Sequence, residues 1–249
     1  MLTLTRLCAA LSLCIALALP LRAEEPAPVV VELFTSQGCN TCPPADAYLG
    51  ELTHRDGVLP LAFHVDYWNY IGWTDPFARP WSSERQRDYM KSLHQPYVYT
   101  PQIVVNGAAQ AIGSERGAVD ALIRAAAAKP SPHPSLALKW REDGALVVEV
   151  GAADPAGIVP PLSDAAVLWL IGFARPQSTE VLRGENQGKT LANYRAVRTY
   201  RRLGAWIGWA EELVVPANQT ATLGDGGAAV LLQRPDMGPI LTAAQIAAR

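Results

Sequence analysis

The sequence predicts two folded regions, an α/β region followed by a mainly β region. Between residues 28 and 128, short apolar runs alternate with segments whose apolar residues recur every three or four positions, which is typical of strands alternating with helices. After residue 135 the apolar residues recur at every second position, with Gly and Pro between the runs, and this pattern indicates strands without intervening helices. The change falls at the proline-rich segment 130–134, because its prolines cannot continue the preceding helix.

The predicted order of elements in the first region is β-α-β-α-β-β-α, which favours a mixed sheet covered by helices. The strands are predicted at 28–34, 58–65, 102–106 and 108–112. The helices are predicted at 43–53, 83–94 and 114–128. The first helix opens with two prolines, the second with a capping box of Ser83 and Gln86, and the third with a cap at Ser114.

The second region is predicted to be a small β-sandwich, because several short strands follow one another at spacings set by Gly and Pro. Its strands are predicted at 135–140, 145–150, 165–173, 194–200, 211–215 and 228–233. No motif in this region indicates an activity.

The first 23 residues have the three zones of a secretory signal. Arg6 precedes a charge-free run at 7–19, and the small residue Ala23 suits the position before a cleavage site. The run is shorter than the roughly 20 apolar residues that span a bilayer. We therefore divide the chain into a cleaved signal at 1–23, an α/β domain at 24–129, a linker at 130–134 and a β-rich domain at 135–249. The mature chain is expected to be periplasmic or secreted, without a membrane span.

The composition is that of a folded protein without a nucleic-acid partner. Of the 249 residues, 49% are hydrophobic and 18% are charged, which excludes a disordered chain. The 21 Lys and Arg residues nearly balance the 23 Asp and Glu residues, giving a formal charge of −2. A protein of this charge has no basic field to attract phosphates.

The motif that carries chemistry is the pair Cys39 and Cys42, the two cysteines that remain after the signal is removed. The pair lies between a predicted buried strand and the start of a helix, where unpaired amides and the helix dipole favour a thiolate. Cys39 is therefore predicted to be the attacking thiol, within reach of molecules from solution. Cys42, one turn further into the helix, is predicted to resolve the mixed disulfide.

The element order and the segment Cys39-Asn40-Thr41-Cys42 resemble the thioredoxin superfamily. Thr100-Pro101 precedes the third strand, where that superfamily keeps a cis-proline facing its cysteines. The resemblance implies an α/β thioredoxin-like domain, a cis bond at Pro101, and a backbone at Thr100 that pairs with substrate beside Cys39. A closer resemblance, to a family of secreted, thioredoxin-like bacterial proteins of unknown function, rests on the stretches 32–39, 42–46, 64–68 and 100–102. Gly38 departs from thioredoxin, which has a tryptophan before its first cysteine.

Four other side chains are candidates for the site. Glu32 interrupts a buried apolar strand, where a carboxylate is costly to ionise, and would accept the proton of Cys42; the alternative is a structural carboxylate bonded to loop amides. His64 and Asp66 share one face of the second strand, and either flank the cysteines or pair with each other. Trp68 lies in an aromatic cluster that either packs the insertion or binds substrate; we predict that it binds substrate.

These residues favour an exported thiol-disulfide oxidoreductase without a cofactor. Its expected partners are a protein or small-molecule thiol or disulfide substrate and a redox partner protein. One alternative is Cu(I) binding or delivery by the same two sulfurs, with His64 as a third ligand. Another is a binding module in which the two cysteines form a structural disulfide. No second cysteine pair or histidine cluster completes a zinc site, so no resident metal is predicted.

Overall fold

The computed structural model describes residues 27–128, 133–153 and 165–249. The predicted signal at 1–23 and most of the proline-rich segment 130–134 lie outside these residues. Within the described ranges, no helix has the length and apolar character needed to cross a membrane.

The N-terminal region is a four-stranded mixed sheet with helices, and its element order is the predicted one. The strands are β1 (Val29–Thr35), β2 (Val58–His64), β3 (Gln102–Val105) and β4 (Ala109–Ile112), and the helices are α1 (Pro43–Leu52), α2 (Pro80–Ser92) and α3 (Arg116–Ala127). The sheet order is β2-β1-β3-β4. Strands β1 and β2 are parallel, whereas β3 and β4 run antiparallel to their neighbours.

Two helix starts differ from the prediction. Helix α2 begins at Pro80, with Arg79 as its N-cap, because proline at the first helical position has a suitable φ and sacrifices no hydrogen bond. The predicted capping residue Ser83 therefore lies inside the helix. Helix α3 has Glu115 rather than Ser114 as its N-cap.

The C-terminal region is mainly β and contains several sheets. Its elements are β5 (Leu136–Trp140), β6 (Leu146–Val150), β7 (Ala166–Phe173), β8 (Gln177–Glu180), β9 (Thr190–Asn193), β10 (Val197–Trp206), β11 (Glu211–Val215), α4 (Ala217–Thr220), β12 (Gly227–Gln233) and β13 (Ile240–Ala247). They form sheets of order β10-β7-β12-β13 and β11-β6-β5, and a two-stranded sheet of β8 and β9. Strands β8, β9 and β13 were not predicted. The first two are short and polar, and β13 is rich in alanine, which favours helix in isolation.

The two regions share a hydrophobic core. On β1, Val31 and Leu33 face helices α1 and α3. Val30 and Phe34 face the other way and pack, with residues of β2 and α2, against β7, β10 and β12. A further apolar layer lies between the sheet that contains β7 and the sheet that contains β6. The N-terminal sheet is therefore buried on one face by α1 and α3 and on the other by α2 and the β region.

Candidate functional site

The cysteine turn, residues 36–42, joins β1 to α1. Cys39 and Cys42 form a disulfide, with their Cα atoms 5.4 Å apart. Cys42 is the N-cap of α1, and its carbonyl oxygen accepts hydrogen bonds from the amides of Ala45 and Asp46. The disulfide thus lies at the positive end of the helix dipole, as the sequence predicts.

Thr100 and Pro101 lie beside the disulfide. The Thr100–Pro101 peptide bond is cis, which confirms the expectation drawn from the resemblance. The Sγ atom of Cys39 is 3.9 Å from the carbonyl oxygen of Thr100. The Trp68 indole Nε1 donates a hydrogen bond to the Thr100 hydroxyl at 2.8 Å. The fold therefore brings together four of the residues proposed from sequence: Cys39, Thr100, Pro101 and Trp68.

The disulfide is buried, contrary to the expected accessibility of Cys39. Cys39 is 1% exposed and Cys42 is fully buried. The cysteine turn is in contact with two segments from elsewhere in the chain, which we call the first covering segment, residues 67–73, and the second covering segment, residues 181–189. Neither contact is visible from the local sequence around the cysteines.

The first covering segment explains the glycine before Cys39. A Cβ atom at Gly38 would lie 3.1 Å from the Cβ of Trp68 and 3.3 Å from the Cδ1 of Ile71. These distances leave no room for a larger side chain unless the segment moves. Trp68 and Ile71 therefore occupy space that a tryptophan at position 38 would require.

The second covering segment is attached to the cysteine turn through Asn186. This buried side chain donates from Nδ2 to the carbonyl oxygens of Gln37 and Cys39, each at 2.9 Å. Its own oxygen accepts a hydrogen bond from Lys189 Nζ at 2.9 Å. Glu185 extends the attachment by accepting from the Asn40 amide at 3.3 Å. Sequence reasoning missed Asn186, because no motif around it indicates a contact with the cysteine turn.

The side chain of Gln37 ties the turn to the first covering segment and to strand β9. Its side-chain oxygen accepts from Trp73 Nε1 at 3.1 Å, and its side-chain nitrogen donates to Asn193 Oδ1 at 3.0 Å. Its backbone amide donates to Asp75 Oδ2 at 2.8 Å. The cysteine turn is thus held by side chains from both halves of the chain.

Asp75, also missed from sequence, is the partner of His64. The two side chains are 2% and 0% exposed, and His64 Nδ1 lies 2.8 Å from Asp75 Oδ2. Burial by itself would lower the pKa of His64, but the Asp75 carboxylate holds it above the ordinary value. Burial would likewise raise the pKa of Asp75, but His64 holds it below the ordinary value. Each partner therefore favours the charged form of the other.

Asp66 is not the partner of His64, although the sequence placed them on one face. Its backbone amide donates to the Ser83 hydroxyl at 3.1 Å, and that hydroxyl donates back to the Asp66 carboxylate at 2.5 Å. Asp66 thereby links the end of β2 to α2. Asp66 therefore holds helix α2 against the end of β2. His64 is instead connected to the cysteine turn through Asp75.

Glu32 lies on the face of β1 that is opposite to helix α1, so it does not face Cys42. Its carboxylate is fully buried and accepts from Arg85 Nε at 2.7 Å and from the Tyr89 hydroxyl. Arg85 also donates to the Tyr200 hydroxyl at 2.8 Å. The structure therefore corrects both readings of Glu32. Neither Cys42 nor a loop amide is its partner, because strand alternation points it into the core shared with the β region.

Asp46 is a second acidic residue that sequence reasoning missed. It lies in the first turn of α1, four residues after Cys42. Burial of its carboxyl group raises its pKa to about 7, an effect that His64 partly offsets. An acid in the first turn of a helix ordinarily interacts with the helix dipole, so no feature of the sequence singled out Asp46.

Within the described residues, no group of three or more His, Cys, Asp or Glu side chains is arranged to hold a metal ion. The third copper ligand considered from sequence, His64, is bonded through Nδ1 to Asp75. The part of the chain that the structure describes therefore gives the copper alternative no three-ligand group.

Comparison with known proteins gives a family and a fold but no activity. The sequence matches the family described as "Protein of unknown function (DUF1223)" over residues 30–233. The chain is similar to a protein from Agrobacterium tumefaciens of known crystal structure, with 32% identity and a TM-score of 0.76 over 91% of this chain and 97% of that one. It shares its fold with HBP35 of Porphyromonas gingivalis, at 13% identity and a TM-score of 0.60 over 90% of this chain and 76% of that one. No curated protein matches.

Proposed function

Since the chain belongs to the DUF1223 family, whose description assigns no activity, we propose from its site that it is an exported, thioredoxin-like thiol-disulfide oxidoreductase. The observation that carries this proposal is the position of Cys39. Its sulfur lies at the start of α1 and 3.9 Å from the Thr100 carbonyl, in the segment that leads into β3. A thiolate formed there is stabilised by helix amides and has a backbone edge beside it.

The exchange proceeds in two steps when the protein starts reduced. The Cys39 thiolate attacks one sulfur of a substrate disulfide, forms a mixed disulfide and releases the other sulfur as a thiolate. Cys42 then loses its proton and attacks Cys39 Sγ, which closes the Cys39–Cys42 disulfide and releases the second substrate sulfur. Two electrons pass from the protein cysteines to the substrate, and the reverse sequence oxidises a substrate dithiol.

Burial of the disulfide means that exchange requires an opening of the site. Trp68 and Asn186 are the contacts that must separate from Thr100 and from the cysteine turn. Covering segments of this kind open locally at a free-energy cost smaller than that of global unfolding. The export proposed from residues 1–23 would deliver the protein to a compartment where disulfides persist.

The test is to trap the mixed disulfide. Cys42→Ser removes the resolving thiol, so mixed disulfides with disulfide-containing partners, such as insulin, should accumulate through Cys39. Cys39→Ser is the matched control and should form none. Equal yields from the two variants, or no adduct and no insulin reduction by the reduced wild type, would refute the oxidoreductase proposal.

A structural disulfide is the second candidate, because Cys39 is only 1% exposed and its turn is held by Asn186. The two candidates differ in reduction potential. A structural bridge of an exported protein should have a potential below about −300 mV, whereas an exchanging pair should fall between about −270 and −120 mV. Equilibration with glutathione or dithiothreitol buffers, followed by alkylation and mass measurement, gives this value.

A further inference from the structure

The second covering segment is the tip of a two-stranded arm, residues 177–193, which consists of β8, the covering segment and β9. Among the described residues, β8 and β9 pair with each other and belong to neither of the larger β-region sheets. The amide of Val181 donates to the carbonyl oxygen of Lys189 at 2.9 Å, which closes the tip upon itself. At the base of the arm, Gln37 Nε2 donates to Asn193 Oδ1 at 3.0 Å. The tip can therefore withdraw while the arm keeps its own hydrogen bonds.

The tip is attached to backbone groups of the cysteine turn. Asn186 Nδ2 donates to the carbonyl oxygens of Gln37 and Cys39, each at 2.9 Å. Glu185 Oε2 accepts from the amide of Asn40 at 3.3 Å. The attachment of the tip therefore depends on the conformation and the charge of the turn rather than on the side chains of the turn.

Glu185 places a carboxylate beside the residue that carries the negative charge in the reduced protein. The Asn40 amide nitrogen, from which Glu185 accepts, is two covalent bonds from the Cα atom of Cys39. The sulfurs of the disulfide carry no charge. A Cys39 thiolate is stabilised by the amides at this helix start, so it competes with Glu185 for them and repels its carboxylate.

The other charged residues of the tip are basic. Lys189 Nζ donates to Asn186 Oδ1 at 2.9 Å, and Arg183 is exposed. The first covering segment, residues 67–73, and the cysteine turn contain no acidic or basic residue. Glu185 is thus the one acidic residue in the sequence of the two covering segments.

We propose that the arm is a redox-sensitive cover, in which Glu185 responds to the charge of Cys39. The inference rests on the proposed oxidoreductase function and concerns the regulation of the same site. In the oxidised protein the uncharged disulfide accepts the tip of the arm, and the turn is covered. In the reduced protein the Cys39 thiolate repels Glu185, and the tip withdraws from the turn.

The cover favours one direction of exchange and thereby names the substrate class. The uncovered, reduced form is the form that attacks, so the substrates are disulfides. When Cys42 closes the Cys39–Cys42 disulfide, the negative charge leaves with the substrate sulfur and the tip returns to the turn. Because the arm prefers the oxidised form, it stabilises that form by the same factor.

Restoring the thiols requires a dithiol donor, such as the redox partner protein proposed above. The donor transfers two electrons, the bond between the Cys39 and Cys42 sulfurs breaks, and the donor becomes a disulfide. One of its two protons goes to Cys42 and the other goes to solvent, because Cys39 stays a thiolate. The charge left on Cys39 then displaces Glu185.

The test measures coverage in both redox states by NMR at pH 8. The reporter is the rate at which the Asn186 side-chain amide protons exchange with solvent, because this side chain is buried when the turn is covered. Reduction of the wild type by dithiothreitol should increase this rate about 10-fold or more, since like charges near a protein surface repel strongly enough to do so. Glu185→Gln should keep the two rates within twofold of each other.

The same substitution should move the redox equilibrium. In glutathione buffers, Glu185→Gln should lower the equilibrium constant for disulfide formation about 10-fold, which corresponds to a reduction potential about 30 mV higher. Glu180→Gln is the matched control, because it removes an exposed carboxylate from β8 of the same arm. It should keep the exchange rates and the potential of the wild type.

The double variant Cys39→Ser with Cys42→Ser separates the effect of charge from the loss of the disulfide. This variant has neither a disulfide nor a thiolate, so its tip should stay on the turn in dithiothreitol. Fast exchange of the Asn186 amide protons in this variant would show that the covalent bond holds the cover, and would overturn the role of Glu185.

The outcomes separate this proposal from the oxidoreductase proposal. Equal exchange rates in the oxidised and reduced wild type would overturn the redox-sensitive cover, even if Cys42→Ser traps mixed disulfides. Uncovering of Glu185→Gln on reduction, to the extent seen in the wild type, would also overturn it. Absence of trapped mixed disulfides, together with normal uncovering on reduction, would overturn the oxidoreductase proposal and the substrate class inferred from it.

Discussion

Removal of the Asn186 side chain should open the site to reductants. Asn186→Ala deletes the two hydrogen bonds that this side chain donates to the cysteine turn, to the carbonyl oxygens of Gln37 and Cys39. A buried hydrogen bond contributes about 0.5–1.5 kcal/mol, so the closed form should lose about 1–3 kcal/mol relative to the open form. If reduction requires opening, the rate of disulfide reduction should increase about 5- to 150-fold, since 1.4 kcal/mol corresponds to a factor of ten.

The assay is the rate at which dithiothreitol reduces the Cys39–Cys42 disulfide under native conditions, followed by quenching and alkylation of the free thiols. Gln187→Ala is the control, because Gln187 is exposed and adjacent to Asn186. It should leave the rate unchanged. A rate for Asn186→Ala within twofold of both the wild type and this control would show that the second covering segment does not limit access.

Three further changes should alter stability. Arg85→Ala should cost about 3–5 kcal/mol of unfolding free energy in urea, because Glu32 stays buried without its partner; the double change Glu32→Leu with Arg85→Met should cost less. Gly38→Trp should lower stability by about 1–3 kcal/mol in thermal denaturation and speed reduction by dithiothreitol, because it displaces Trp68. The raised pKa of Asp46 gives stability that is complete below about pH 3.8 and is lost as pH rises through about 7. Asp46→Asn should therefore flatten the decline of the melting temperature between pH 4 and 7.

Local sequence patterns were sufficient where neighbouring residues determine the structure. The alternation of apolar runs and helical segments gave the order of the first seven elements. The position of the cysteine pair at a helix start was also visible locally. The placement of Thr100 and Pro101 beside the pair, 61 residues away in sequence, was expected only from the family resemblance.

The remaining parts depend on contacts between distant segments. Asn186 meets the cysteine turn across 147 residues of sequence, and nothing near Asn186 signals that contact. Glu32 was expected to accept the proton of Cys42. Its neighbour Leu33 faces helix α1, and because side chains alternate along β1, Glu32 faces the other side of the sheet, away from Cys42. Strand β13 is rich in alanine and becomes a strand because β12 is available to pair with it, a tertiary effect that overrides local propensity.

The core shared by the two regions constrains how the protein can be dissected or transplanted. A fragment ending near residue 128 would expose Phe34 and Phe63 to water and leave the guanidinium of Arg85 without Tyr200. Such a fragment should aggregate rather than fold. It would also lack Asn186, so even a soluble version would present a different cysteine environment. Transfer of this cysteine site to another protein therefore has to include both regions of the chain, and replacement of either region by that of a homologue should succeed only when the facing sheet is exchanged with it.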